Sequence, residues 1–147
     1  MVATRLHAPG PQVFTDVARR QTKTGKSHAY WYYFTHVSPM PDGLFWAGRP
    51  ALDAGAYHGG EIVYLFDAFP LQTWAWRPMD LELGKVMSSM WVQLAKTGDP
   101  NGAGLPEWPK YGEGDPLIHL DSTITSGPDT LRPRYEFLLK GLPPLRF

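Results

Sequence analysis

HAYWYYFTH, residues 28–36, is the stretch on which the fold class turns. Side chains of a β-strand alternate between its two faces, so Tyr30, Tyr32 and Phe34 point one way. Ala29, Trp31, Tyr33 and Thr35 point the other. Both sets are largely apolar or aromatic, and a strand with one wet face would alternate with polar residues instead. This one reads as buried on both sides of a sheet. Just upstream, Val13, Phe14, Val17, Ala18 and Gln21 recur at helical spacing, with Arg19, Arg20 and Lys23 between them. A helix feeding a two-sided strand predicts an α/β protein.

Working outward, residues 37–60 are dense in proline and glycine and read as one long loop, of the kind that tends to carry function. GGEIVYLFDAF then suggests a short helix. MDLELGKVMSSMWVQLAKTG suggests a longer one, with Leu83, Val86, Met87, Met90, Trp91 and Leu94 as its apolar stripe. Asp80 is the expected N-cap, and Gly98 is placed to end the helix. LIHL reads as a short strand, and RPRYEFLLKG as a terminal helix with Pro133 in its first turn and Gly141 after its last. The expected helices lie near residues 12–23, 60–67, 79–97 and 133–140, and the expected strands near 29–36 and 117–120. Strands are scarce for a sheet buried on both faces, which implies that part of a larger sheet is supplied from elsewhere.

The chain has 147 residues, enough for a single domain spanning 1–147. Charges balance at 14 basic and 14 acidic residues, which argues against a polyanion-binding or disordered chain. The basic residues near the N-terminus read as the wet face of a helix, because no aromatic–basic interleaving accompanies them; no nucleic-acid partner is expected. Cysteine is absent, which removes disulfide and thiolate chemistry. No apolar run reaches membrane-span length and the first 30 residues lack the apolar core of a signal peptide, so no membrane span is expected; a cytoplasmic protein, the default, and a piece whose signal lay upstream would both look like this.

The five histidines show neither His-x-His nor His-x₃-His spacing, and His28 and His36 would stand about 26 Å apart on an extended strand. No metal and no cofactor is expected, and neither the Walker pattern nor G-x-G-x-x-G occurs. His58 differs by its setting in GAYHGGEIVYLFDAF, residues 55–69. Glycines on one side and a small residue two before it let the backbone turn sharply and leave the imidazole accessible, as a general base requires. Most loop histidines are ordinary surface residues, and the glycine setting alone does not separate the two readings.

The stretch Gly55-Ala56-Tyr57-His58-Gly59-Gly60-Glu61-Ile62-Val63-Tyr64-Leu65-Phe66 resembles the catalytic-histidine segment of type-B carboxylesterases, the cholinesterase-like branch of the α/β-hydrolases. Three further stretches agree with that family in order. YWYYF resembles its aromatic strand. Met90-Trp91 with Leu94-Ala95-Lys96-Thr97-Gly98-Asp99-Pro100-Asn101 resembles W-x-x-F-A-K-T-G-D-P-N, with Leu94 where Phe is usual. Leu105-Pro106-Glu107-Trp108-Pro109-Lys110-Tyr111 resembles the W-P-x-Y that follows. The resemblance runs from about Gln12 to about Leu142 and covers the C-terminal third of the family only.

The resemblance implies the C-terminal portion of an α/β-hydrolase fold, helix-rich with few strands, from an enzyme that hydrolyses small carboxylic esters. It implies that His58 is the general base that activates a serine and then protonates the leaving alcohol. It makes Glu61 a supporting polar residue, not the triad acid. In the family the nucleophilic serine sits on a G-x-S-x-G elbow, and this sequence contains no such pattern; the oxyanion-hole and triad-acid segments also have no counterpart. Ser27, Ser38, Ser88, Ser89, Ser122 and Ser126 are available and Asp53 could orient His58, but none of these serines lies on an elbow-like motif, and the nucleophile stays unassigned. Two readings follow. One is the histidine-bearing part of an ester hydrolase, acting with a complementing N-terminal part. The other is a non-catalytic, self-associating remnant or truncated product. A homo-oligomer is expected under the assumption that Tyr30, Trp31, Tyr32, Tyr33 and Phe34 are left uncovered.

Overall fold

The computed structural model describes residues 10–41, 43, 45–46, 49–50 and 55–139. Helix α1 spans Gly10–Thr24, and the aromatic segment yields strand β1 at Tyr32–Phe34. A small hairpin follows, with β2 at Phe45–Trp46 antiparallel to β3 at Arg49–Pro50. Next come helix α2 at Ile62–Leu65, a 3-10 turn at Phe69–Leu71, and the long helix α3 at Pro78–Thr97. Strands β4, Pro116–Leu120, and β5, Thr125–Pro128, lead to helix α4, Arg132–Leu139. Gly141, expected after the last helix, lies outside the described residues.

The sheet order is β1-β4-β5, with β1 parallel to β4 and β4 antiparallel to β5. Register follows the alternation read from the sequence. Tyr32 stands opposite Ile118 and Phe34 opposite Leu120, and these four join Tyr30 in the main core. On the other face Ala29 and Trp31 pack with Leu117, Tyr111 and Ala18 of α1. The sheet is therefore covered on one side by α2 and α3 and on the other by α1.

This cover corrects one expectation. Tyr30, Trp31, Tyr32 and Phe34 are all buried within the chain, and Tyr33 is half-buried against His119. The reason given for self-association, an uncovered aromatic strand, does not hold. The rings instead pack edge to face with the two tryptophans of the following motifs: Tyr32 meets Trp91 at 5.1 Å and Trp108 at 6.0 Å, and Tyr30 meets Trp108 at 6.0 Å. Such pairs add about 0.5–1.5 kcal/mol each beyond the area they bury. Trp108 is wholly buried, with its indole N–H donated to the Trp31 carbonyl at 2.9 Å. Asn101 holds that segment in place by accepting from the Trp108 amide and donating to its carbonyl.

Helix α3 begins one turn earlier in capping terms than the sequence suggests. Its N-cap is Arg77, with Pro78 in the first turn, and Asp80 sits three residues on. The Asp80 carboxylate reaches back to accept the Arg77 backbone N–H at 2.7 Å. Asp80 thus serves the same orphan amides from inside the helix, near the positive end of its dipole. The C-terminus ends as expected, with Gly98 in the left-handed region at φ +78 donating to the Leu94 carbonyl. Leu83, Met87 and Met90 are buried, and Val86, Trp91 and Leu94 partly so, which is the predicted stripe. The ring of Phe69 crosses this helix at Gly84, where a Cβ would stand 2.4 Å from Phe69 Cε2.

Three strands were not anticipated. β2 and β3 lie inside the loop expected at 37–60. β5, TSGP, is composed of residues poor in strand propensity and exists through its pairing with β4. None of the helices among the described residues is long and apolar enough to cross a membrane.

Candidate active site

The loop that carries His58 is built by its glycines. Residues 57–60 close a turn in which the Gly60 N–H donates to the Tyr57 carbonyl at 3.1 Å. Gly59 takes φ +83, a left-handed conformation that a side chain would strain. The Ile62 N–H donates to the Gly59 carbonyl and the Leu65 N–H to that of Glu61, so the turn runs directly into α2. Gly60 is buried, and a Cβ there would stand 3.3 Å from the Tyr57 ring, which packs beneath the turn. His58 occupies the crest of this structure. It is exposed, and its imidazole makes no hydrogen bond among the described residues.

Glu61 has turned the other way. It is buried, and its carboxylate accepts a hydrogen bond from the Tyr32 hydroxyl at 3.4 Å. No hydrogen bond or ion pair joins it to His58 among the described residues. Its field is felt by Tyr57, whose phenol is pushed up by burial first and by the nearby Glu61 charge second. Glu61 therefore ties the base of the histidine turn to strand β1. Asp53, the other expected supporting carboxylate, lies outside the described residues.

None of the serines weighed from the sequence is brought to His58 by a contact. Ser38 is buried against the Tyr64 hydroxyl at 3.1 Å, Ser88 donates to the Lys85 carbonyl within α3, and Ser126 donates to the Glu107 carbonyl. Among the described residues, no group of three or more His, Asp or Glu side chains is placed to hold a metal ion.

A second polar cluster was missed by the sequence reading. His36 is buried where β1 ends, with Nε2 2.5 Å from Asp80 Oδ1 and Nδ1 3.4 Å from Asp121 Oδ1. Asp80 is fully buried and accepts from Arg77 Nε at 2.8 Å, from an Arg77 terminal nitrogen at 2.8 Å, and from the Tyr64 hydroxyl at 3.2 Å. Burial alone would raise the Asp80 carboxyl, but the hydrogen bonds from Arg77 and His36 outweigh it and hold the group well below the usual carboxylate range. Burial likewise pushes the Tyr64 phenol up. The cluster joins the end of β1, the start of α3 and the β4–β5 turn. His36 and Asp80, its buried members, are both hydrogen-bonded, while Arg77 and Asp121 reach solvent, and the cluster acts as a structural tie.

No local pattern could have disclosed that cluster, since His36, the Arg77–Asp80 pair and Asp121 are separated from one another by dozens of residues. Its one trace in the sequence is an acidic residue just after a proline at a helix start. A smaller version stands at Asp115, which accepts from the Tyr111 hydroxyl at 2.5 Å, from Arg19 of α1 at 3.1 Å and from Arg132 of α4. Arg19, read as merely solvated, is one of the three donors of this tie.

Comparison with known proteins now places the chain. The carboxylesterase family pattern matches residues 7–137. Carboxylesterase 4A of Bos taurus is 34% identical over 98 residues, covering 67% of this chain and 16% of that protein. Carboxylesterase 5A of Canis lupus familiaris is 32% identical over 133 residues, covering 86% of this chain and 22% of that protein. Among solved structures, an esterase from Clostridium hathewayi superposes with a TM-score of 0.71 at 22% identity, over 93% of this chain and 26% of that one. That likeness establishes the α/β-hydrolase fold. The chain thus spans about a quarter or less of the length of each of these proteins, and it belongs to the carboxylesterase family.

Proposed function

We propose that this chain supplies the general base of a carboxylic ester hydrolase, with His58 in that role. The observation that carries the reading is an exposed imidazole on a glycine-built turn, in a chain of the carboxylesterase family. The sequence holds no G-x-S-x-G, so the serine must come from polypeptide outside these 147 residues. One nitrogen of the His58 ring accepts the serine proton as the oxygen attacks the ester carbonyl. The same proton then passes to the departing alcohol, and a water molecule repeats the cycle on the acyl-enzyme. Glu61 supports from below by fixing the turn through Tyr32, and Asp53, five residues before His58, is a carboxylate that could orient the ring.

Under this reading the isolated chain has no saturable esterase activity, because it carries no serine elbow; the slow cleavage of p-nitrophenyl acetate by the histidines and lysines of any protein does not count as turnover. Turnover on p-nitrophenyl acetate and butyrate should appear only with a polypeptide bearing the serine elbow, and His58→Ala should remove it. Hydrolysis by such an assembly that persists in His58→Ala would overturn the role given to His58. The missing elbow favours a second reading, a chain that folds and associates without catalysing; it is supported if no serine-bearing polypeptide yields turnover.

A further inference from the structure

We infer that Asn101 is a latent modification site, whose conversion to aspartate or isoaspartate is held off by its clamp on Trp108 and released when that segment detaches. Asn101 is the only asparagine in the 147 residues, and a glycine follows it. Asparagine is a chemically labile residue, and most so before glycine, where no side chain hinders the following amide. The Gly102 nitrogen gives up its proton and attacks Asn101 Cγ; the Cγ–Nδ2 bond then breaks, and Nδ2 departs as ammonia. Water opens the resulting succinimide at either carbonyl. Asparagine and water are consumed, and an acid and ammonia are formed.

The fold restrains the side chain that must do this. Asn101 Nδ2 donates to Asp99 Oδ1 at 2.7 Å and to the Trp108 carbonyl at 3.0 Å, while Oδ1 accepts the Trp108 N–H at 2.7 Å. Its backbone is pinned as well, with the Asn101 N–H donated to Asp99 Oδ1 at 2.9 Å. Ring closure turns Cγ onto the Gly102 nitrogen and carries both heteroatoms away from residue 108, so it requires the clamp to open. Trp108 resists that opening, because it is wholly buried against Tyr30, Tyr32 and Trp91. Gly102 is exposed, so water reaches the reacting amide once the clamp is released.

The change runs one way. A carboxylate at position 101 has no hydrogen to give the Trp108 carbonyl. It also meets Asp99, whose carboxyl the Asn101 backbone N–H, and then its side-chain amide, hold below the usual range. Lost donors and like charges together keep the clamp from closing again. A chain that has once opened at this loop is thereby marked.

The test follows the mass of the 147-residue chain at mildly alkaline pH, both folded and in concentrated urea. A gain of about one dalton reports the conversion, and no second asparagine contributes to it. The folded chain should convert about tenfold or more slowly than the chain in urea; equal rates overturn the gating by the clamp. Gly102→Ala locates the chemistry. A Cβ there meets Leu105 Cδ1 at 3.5 Å, an ordinary contact that the fold accommodates. Conversion in urea should slow about tenfold in that variant, and an unchanged rate removes Asn101 as the site. Asn101→Asp stands for the product, and its thermal midpoint should fall by about 4 °C or more. A variant that does not fold shows the same loss carried further, whereas an unchanged midpoint would show that the acid keeps the clamp and overturns the inference.

Discussion

Two histidines lie at opposite ends of the scale in this molecule. His36 is buried between two carboxylates and an arginine, and it joins three segments that are remote in sequence. His58 is exposed on a glycine turn and carries no such company. From the sequence alone both are single histidines near an aromatic run. The difference lies in what surrounds them: a saturated node can hold a fold but has no free lone pair to offer, while an accessible ring costs the fold nothing and can meet a substrate. Partner saturation, more than residue type, separates the structural site from the candidate catalytic one.

The sharpest way to break that contrast is Asp80→Ala. It leaves His36 and Arg77 facing an empty, buried position, and loss of one partner from a buried ion pair costs about 3–5 kcal/mol. Arg77 is half exposed and can rehydrate, so a loss near the lower figure is expected in urea unfolding. Acid probes the same node without mutation. The Asp80, Asp115 and Asp121 carboxyls are each held low, in every case against burial, by hydrogen bonds: from Arg77 and His36 for Asp80, from Tyr111 and Arg19 for Asp115, and from Thr35 and the Ser122 amide for Asp121. Their unfolded values lie near 3.9, so the unfolded chain binds protons first as pH falls. Their contribution is full above that value and is lost progressively as pH drops through it toward the depressed folded values. Asp129, raised chiefly by burial, works in the opposite sense and offsets part of the loss. A midpoint of urea unfolding that is unchanged between pH 6 and roughly pH 3 would contradict this account.

Gly84→Ala should come next. At an open helical site it would gain up to about 1 kcal/mol of propensity. Here the new methyl meets the buried Phe69 ring, and overpacking of this kind costs about 1–3 kcal/mol, so a net loss is expected by thermal or urea unfolding. The smallest effect on stability belongs to His58→Ala, within about 0.5 kcal/mol, as for an exposed side chain with no hydrogen bond among the described residues. A large destabilisation there would erase the distinction between the two histidines.

Much of the fold was legible because it rests on periodicity. The two-faced β1, the α3 stripe and the Gly98 stop each follow from local residue order. What escaped depends on contacts between distant segments. β5 exists because β4 lies beside it, and Asp80 left the expected N-cap role because Arg77 and His36 converge on it. The aromatic strand seemed to need outside cover because the sequence does not tell which helices fold back onto it. Of the candidate site, the turn and the accessibility of His58 were readable from the glycines, whereas the inward turn of Glu61 toward Tyr32 was not.

The parallel pairing of β1 with β4 has a consequence for how the chain acquires its structure. Tyr32 waits for Ile118, and almost every described residue lies between or beside them. The α2–α3 pair is formed from neighbouring segments and can assemble early, but the strand with the most aromatic residues receives its neighbour only when β4 has emerged. During vectorial synthesis the rings of Tyr30 to Phe34 therefore spend their longest interval without sheet contacts. That interval, not the finished surface, is where this polypeptide is most exposed to aggregation and to chaperones.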